Sequence, residues 1–150
     1  MANDVAGTDP KPRWVLGSCA AVALGLVGAG IYAAVDALTG TERGFLSLLI
    51  AVGVTAGYVG VGRARSLLAA VVSALLTGVL WVVGLLVGQA WLESKDGLSD
   101  FPGALQYWFG HPTQYMSAYF DKGAVSYLFA AVTLGGAFFI AFAVGRSPRK

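Results

Sequence analysis

Cysteine, histidine and charge are all scarce in this 150-residue chain, and each shortage closes off a class of chemistry. A single cysteine, Cys19, excludes an intrachain disulfide and any thiolate cluster built within one chain. A single histidine, His111, excludes two-histidine zinc sites and the helical metalloprotease pair. No serine stands at a spacing that suggests a nucleophile with a His or Lys base, and no Gly-rich loop is followed by a phosphate-binding Lys. No catalytic residue, metal or cofactor is therefore assigned, and no enzymatic activity is expected. Charged residues make up only 12% of the chain, the formal net charge is +2, and no basic stripe is interleaved with aromatics. Nucleic acid is accordingly not an expected partner.

What fills the chain instead is apolar: 57% of residues are hydrophobic and the mean hydropathy is +0.70. Ala, Gly, Val and Leu dominate. Four runs contain no charged residue at all, at 14–35, 44–62, 66–92 and 123–145, with lengths of 22, 19, 27 and 23 residues. At ~1.5 Å per residue, 22 helical residues cover ~33 Å against a hydrocarbon core of ~30 Å. A soluble chain has no way to bury so much apolar sequence. The expected fold is all-α: a four-helix transmembrane bundle whose main partner is the lipid bilayer. The first run has a basic flank in Lys11 and Arg13, but its 22 residues exceed the ~7–15 apolar residues of a signal peptide, so an uncleaved anchor is expected. Cys19, inside that run, is expected to be a small apolar filler.

Positive charge sorts between alternate loops. One side would hold Lys11, Arg13, Arg63, Arg65, Arg146, Arg149 and Lys150, and the other only Arg43, Lys95 and Lys122. Because Lys and Arg bias sets orientation, both termini are expected in the cytoplasm of a plasma or inner membrane protein. On this scheme 1–13 is a disordered cytoplasmic N-terminus, 14–145 the membrane domain and 146–150 a cytoplasmic tail. The links at 36–43 and 63–65 are short, which makes successive helices antiparallel neighbours.

One sizeable segment lies outside the apolar runs, from Glu93 to Lys122, and it holds seven aromatics. Asp100 and Pro102 predict the start of a short helix that Gly110 ends, with Phe101, Leu105, Trp108 and Phe109 on one face. A second short helix at 113–120 would group Tyr115, Met116 and Tyr119. Amphipathic pieces of this kind favour the membrane interface, so the segment is expected to lie as a plate over the helix ends.

Two constellations invite closer inspection. Small residues recur four apart, at Gly53 and Gly57 and at Gly84 and Gly88, more loosely at Gly25 with Ala29 and Ala131 with Gly135. Lipid tails are as apolar as Leu, so membrane helices associate through close backbone approach, which such residues permit. The approach can serve packing within the bundle or pairing with another chain. The polar turn around Asp36, Thr39, Gly40, Glu42 and Arg43 is the second. Thr39 and Glu42 are spaced as a capping box, with Glu42 at the positive end of the following helix. The functional alternative treats Asp36 and Glu42 as a proton or cation site at the membrane rim, with Arg43 as counter-ion.

The passage from Thr39 to Leu46, leading into Val52-Gly53, Gly57, Val59-Gly60 and Val61-Gly62, resembles a set of small, uncharacterised bacterial four-span membrane proteins. These share a Thr-Gly-x-Glu-x-Gly turn between their first two helices. The resemblance extends more loosely over the chain after Val35, through Tyr127, Leu128 and Phe129. It implies the four-span architecture and carries no activity, and this chain departs from it at Ser47, where Ala is expected, and in a longer aromatic loop. The functional expectation is a non-enzymatic accessory or structural component that packs against a second copy or a larger membrane protein. The alternative is a small oligomeric transporter or channel subunit using Asp36 and Glu42.

Overall fold

A computed structural model describes residues 12–40, 44–64 and 66–146, and within them every regular element is helical. Most of the expected disordered N-terminus at 1–13 and of the tail at 146–150 lies outside the described residues. Four of the helical stretches are long and apolar enough to cross a membrane, which makes the chain an all-α bundle of membrane-spanning dimensions.

Helix α1 runs over Trp14–Thr39, four residues past the end of its charge-free run. Nothing between 36 and 39 breaks a helix. The stop comes at Gly40, which adopts φ 62° and donates its N–H to Asp36 O at 2.9 Å, a left-handed cap that suits glycine. Asp36 therefore belongs to the last turn of α1. The second span is not the uniform helix its composition suggests. It opens with a 3-10 turn at Gly44–Leu46, continues as α2 over Ser47–Thr55, and widens into a π-helical segment over Ala56–Val61. Gly62 N closes that segment on Gly57 O at 2.9 Å, one residue farther back than an α-helical bond reaches. The widening falls where Gly57 and Gly62 bring the backbone against Ala21 and Gly17 of α1.

Arg63, at φ 53°, reverses the chain. Ser66 then caps α3, accepting from Ala69 N at 3.2 Å. Helix α3 spans Leu67–Lys95; its 29 residues give ~44 Å, well beyond a ~30 Å hydrocarbon core. Two short helices follow, α4 over Phe101–Gly110 and α5 over Pro112–Asp121, and α6 over Ala124–Arg146 completes the chain. Asp100 caps α4 by accepting from Gly103 N at 3.3 Å, as its place before Pro102 predicts.

The spans pack as a rhomb. Helices α2 and α3 meet across the centre, while α1 and α6 lie on opposite flanks, each packed along both. Burial follows this arrangement: half of the second span's most apolar window and 44% of α3's are buried, against 28% for α1 and 17% for α6. The outer faces of α1 and α6 carry exposed Val27, Ile31, Val132 and Phe139. Tyr32, Ile50, Val54, Trp81 and Leu85 form the shared core.

The segment between α3 and α6 forms two short helices that cover the bundle and also send side chains into it. Tyr119 of α5 meets Trp81 edge-on at 5.6 Å, and Trp81 is the midpoint of α3. Tyr115 stands edge-on to Trp108 at 5.4 Å. Both tyrosines are buried, Tyr119 against the bundle and Tyr115 against α4, so α5 covers the bundle and inserts a side chain into it. The face of α4 is also rotated from expectation. Ala104 is buried and Trp108 half-buried, whereas Phe101 and Phe109 point outward. A hydrogen bond from Trp108 Nε1 to Glu93 Oε1 at 2.9 Å sets this rotation, a polar constraint that apolar patterning does not reveal.

Candidate functional site

Of the three residues predicted at the membrane rim, one can be placed. Asp36 is half-buried in the last turn of α1, and its Oδ2 faces Gly88 of α3. A Cβ on Gly88 would stand 3.3 Å from that oxygen, so the glycine leaves a seat for the carboxylate. One residue on, Ala37 O accepts from Lys95 Nζ at 3.3 Å, which brings a cation to the negative end of α1. Glu42 and Arg43 lie outside the described residues, and so does the reciprocal half of the capping box. Thr39 itself is the last residue of α1, and its hydroxyl donates to Val35 O at 2.7 Å. Among the described residues no three His, Cys, Asp or Glu side chains gather closely enough to hold a metal ion. A carboxylate at a helix end can carry a charge or accept a proton, and beside it the Lys95–Ala37 bond ties α3 to α1.

A second polar cluster lies farther along α3. Glu93 Oε1 accepts from Gln89 Nε2 at 3.1 Å and from Trp108 Nε1 at 2.9 Å. The Gln89–Glu93 spacing of four residues is the sequence signal that exposes half of this cluster. Its chemistry is attachment: it fastens α4 to the end of α3. His111 is exposed between α4 and α5, stacked on Tyr107 at 4.7 Å, with Nδ1 2.9 Å from Tyr107 O.

The four glycines chosen for helix packing all face α1, in two different ways. Gly53 and Gly57 sit where the α1 and second-span backbones nearly touch. A Cβ on Gly53 would lie 2.7 Å from Leu24 O, and one on Gly57 would fall on the backbone of Ala21. The seam continues to the far end, where a Cβ on Gly17 would lie 2.8 Å from Gly62 Cα and Arg13 N donates to Gly62 O at 2.8 Å. Gly84 and Gly88 are looser, with added Cβ atoms at 3.4 and 3.3 Å from their nearest neighbours in α1.

Apolar patterning passed over the interior hydroxyls. The buried serines and threonines among the described residues are Ser47 and Thr55 from α2, Ser73 and Thr77 from α3, and Ser126 and Thr133 from α6. The α1 seam is glycine, and the α2–α6 contact is hydroxyl. Ser47 and Thr133 hydrogen-bond to each other across α2 and α6, and Ser47 also donates to Gly44 O. Thr55 Oγ1 donates to Ala137 O at 3.5 Å. Ser73 Oγ, Thr77 Oγ1 and Trp81 Nε1 have no hydrogen-bond partner. Their spacing, i, i+4 and i+8, was visible in the sequence, but each alone looks like an ordinary member of an apolar run.

No family model matches the chain, and neither does any curated protein or solved structure. Function has to be argued from the bundle itself.

Proposed function

We propose that this protein is a non-enzymatic accessory or structural component of a membrane, working by helix packing against a second copy of itself or a larger membrane protein. The observation that carries this proposal is the contrast between the bundle's two kinds of surface. The interior is taken up by backbone-close glycine seams and by a hydroxyl pair between α2 and α6. The flanks, above all α6, present long apolar faces in which Gly30 and Gly135 have open space where a Cβ would stand. Outward small residues let another helix approach closely.

Orientation belongs to the same proposal. Arg13 and Arg63 meet at one end of the bundle through the Arg13–Gly62 backbone bond, while Asp36, Glu93, Asp96 and Asp100 lie toward the other. This supports a plasma or inner membrane protein with both termini cytoplasmic.

The seat of Asp36 against Gly88 favours a second reading, a small oligomeric transporter or channel subunit in which Asp36 exchanges a proton or cation. Reconstituted liposomes separate the two. For the accessory role, wild type, Asp36→Asn and Glu42→Gln give the same proton and cation leak as empty vesicles. A wild-type flux that Asp36→Asn abolishes would replace the accessory role with transport.

A further inference from the structure

We propose that the face of α3 bearing Ser73, Thr77 and Trp81 is a hydrated seam that holds a short file of internal water inside the bundle. The three side chains stand one helical turn apart, and their relative exposures are 0%, 0% and 3%. Their polar atoms lack hydrogen-bond partners. A helical serine or threonine normally meets this need by bonding to a carbonyl of its own preceding turn. The chain uses that solution elsewhere, from Thr39 to Val35 O and from Ser47 to Gly44 O. Ser73 and Thr77 do not, so their hydrogen-bonding capacity is left unmet by the protein. A polar group left unmet there bears its whole desolvation cost, because hydrocarbon supplies nothing in exchange.

The spacing selects the ligand. Four residues of helix rise ~6 Å. Two hydrogen bonds of ~2.8–3.0 Å meeting at the bent angle of one water join atoms ~4.5–5 Å apart, and two waters in series reach farther. One or two waters would therefore link Ser73 to Thr77 and Thr77 to Trp81. The indole N–H only donates and requires an acceptor oxygen, while the hydroxyls donate or accept. Water supplies both functions. A cation does not suit this face, because an indole N–H only donates and Ser73 and Thr77 carry no charge. The file would begin at Ser73, ~9 Å from the Leu67 end of α3, and run ~12 Å to the helix midpoint. There the edge-on pair of Trp81 and Tyr119 closes it. The aromatic wedge of α5 thus acquires a role as the stopper of a half-path.

Water-edited solid-state NMR on the wild-type protein in liposomes tests this without altering the chain. Magnetisation from water is expected to reach Ser73 and Thr77 and to leave Ile50, equally buried but apolar, dark. If Thr77 is as dark as Ile50, the seam is dry and the proposal fails. The isosteric Thr77→Val gives an independent sign. A bridging water lost with the hydroxyl lowers the Tm by about 3 °C, whereas removal of a dry, unmet hydroxyl leaves the Tm unchanged or raises it, and either of those results overturns the proposal.

Discussion

At the scale of single residues, the decisive quantity is the room left for one methyl group. A Cβ on Gly57 would collide with the backbone of Ala21, which cannot move without parting α1 from the second span. Gly57→Ala is therefore expected to cost about 3 kcal/mol, the upper part of the usual overpacking range. Gly135 has nothing within 4 Å of an added Cβ, so Gly135→Ala should stay within about 0.5 kcal/mol of wild type. Thermal unfolding of the two variants in the same detergent checks this contrast, and equal midpoints would remove the close seam from the account. The Ser47–Thr133 pair calls for a cycle instead of single variants. Ser47→Ala or Thr133→Val alone leaves one buried hydroxyl with fewer partners and should cost about 1–3 kcal/mol. The double variant should cost clearly less than the sum. Strict additivity would mean that the two hydroxyls do not depend on each other.

At the scale of elements, the long helices were legible because hydrocarbon imposes its own length on the sequence. Charge marked their ends to within a few residues, and Asp100 with Pro102 announced α4. Three features were not legible, each for a physical reason. The π-helical segment at Ala56–Val61 is set by backbone contact with α1, a tertiary fact that glycine content permits but does not specify. The rotation of α4 depends on the bond between Trp108 and Glu93, two residues that apolar patterning files under different headings. The insertion of α5 reflects tyrosine's dual nature: in sequence its hydroxyl suggests the interface, yet Tyr115 and Tyr119 bury their rings against Trp108 and Trp81. Of the rim site, only Asp36 could be followed into the structure. Trp108→Phe keeps an aromatic ring but deletes the N–H and trims the indole, so it should cost about 2 kcal/mol. It should also release α4, seen as faster proteolytic cleavage between Glu93 and Lys122. Unchanged cleavage would show that ring packing alone holds the segment.

At the scale of the whole molecule, the rhomb divides labour between its helices. The central pair, α2 and α3, is the more deeply buried, and the flanking α1 and α6 close the core and meet the surroundings. An even number of spans places both ends on one side. In a Cys19→Ser background, an impermeant maleimide added to whole cells should label Asp96→Cys and leave Pro12→Cys untouched. Labelling of both, or of Pro12→Cys alone, would invert or break the proposed topology. The central claim is that this bundle acts by packing against another membrane protein. It is tested most directly by the native mass of the wild-type complex, extracted from its own membrane in mild detergent. The account predicts a stoichiometric assembly, either two or more copies of the 15.5 kDa chain or one copy with a defined partner. A population made up of single chains and bound lipid would contradict it.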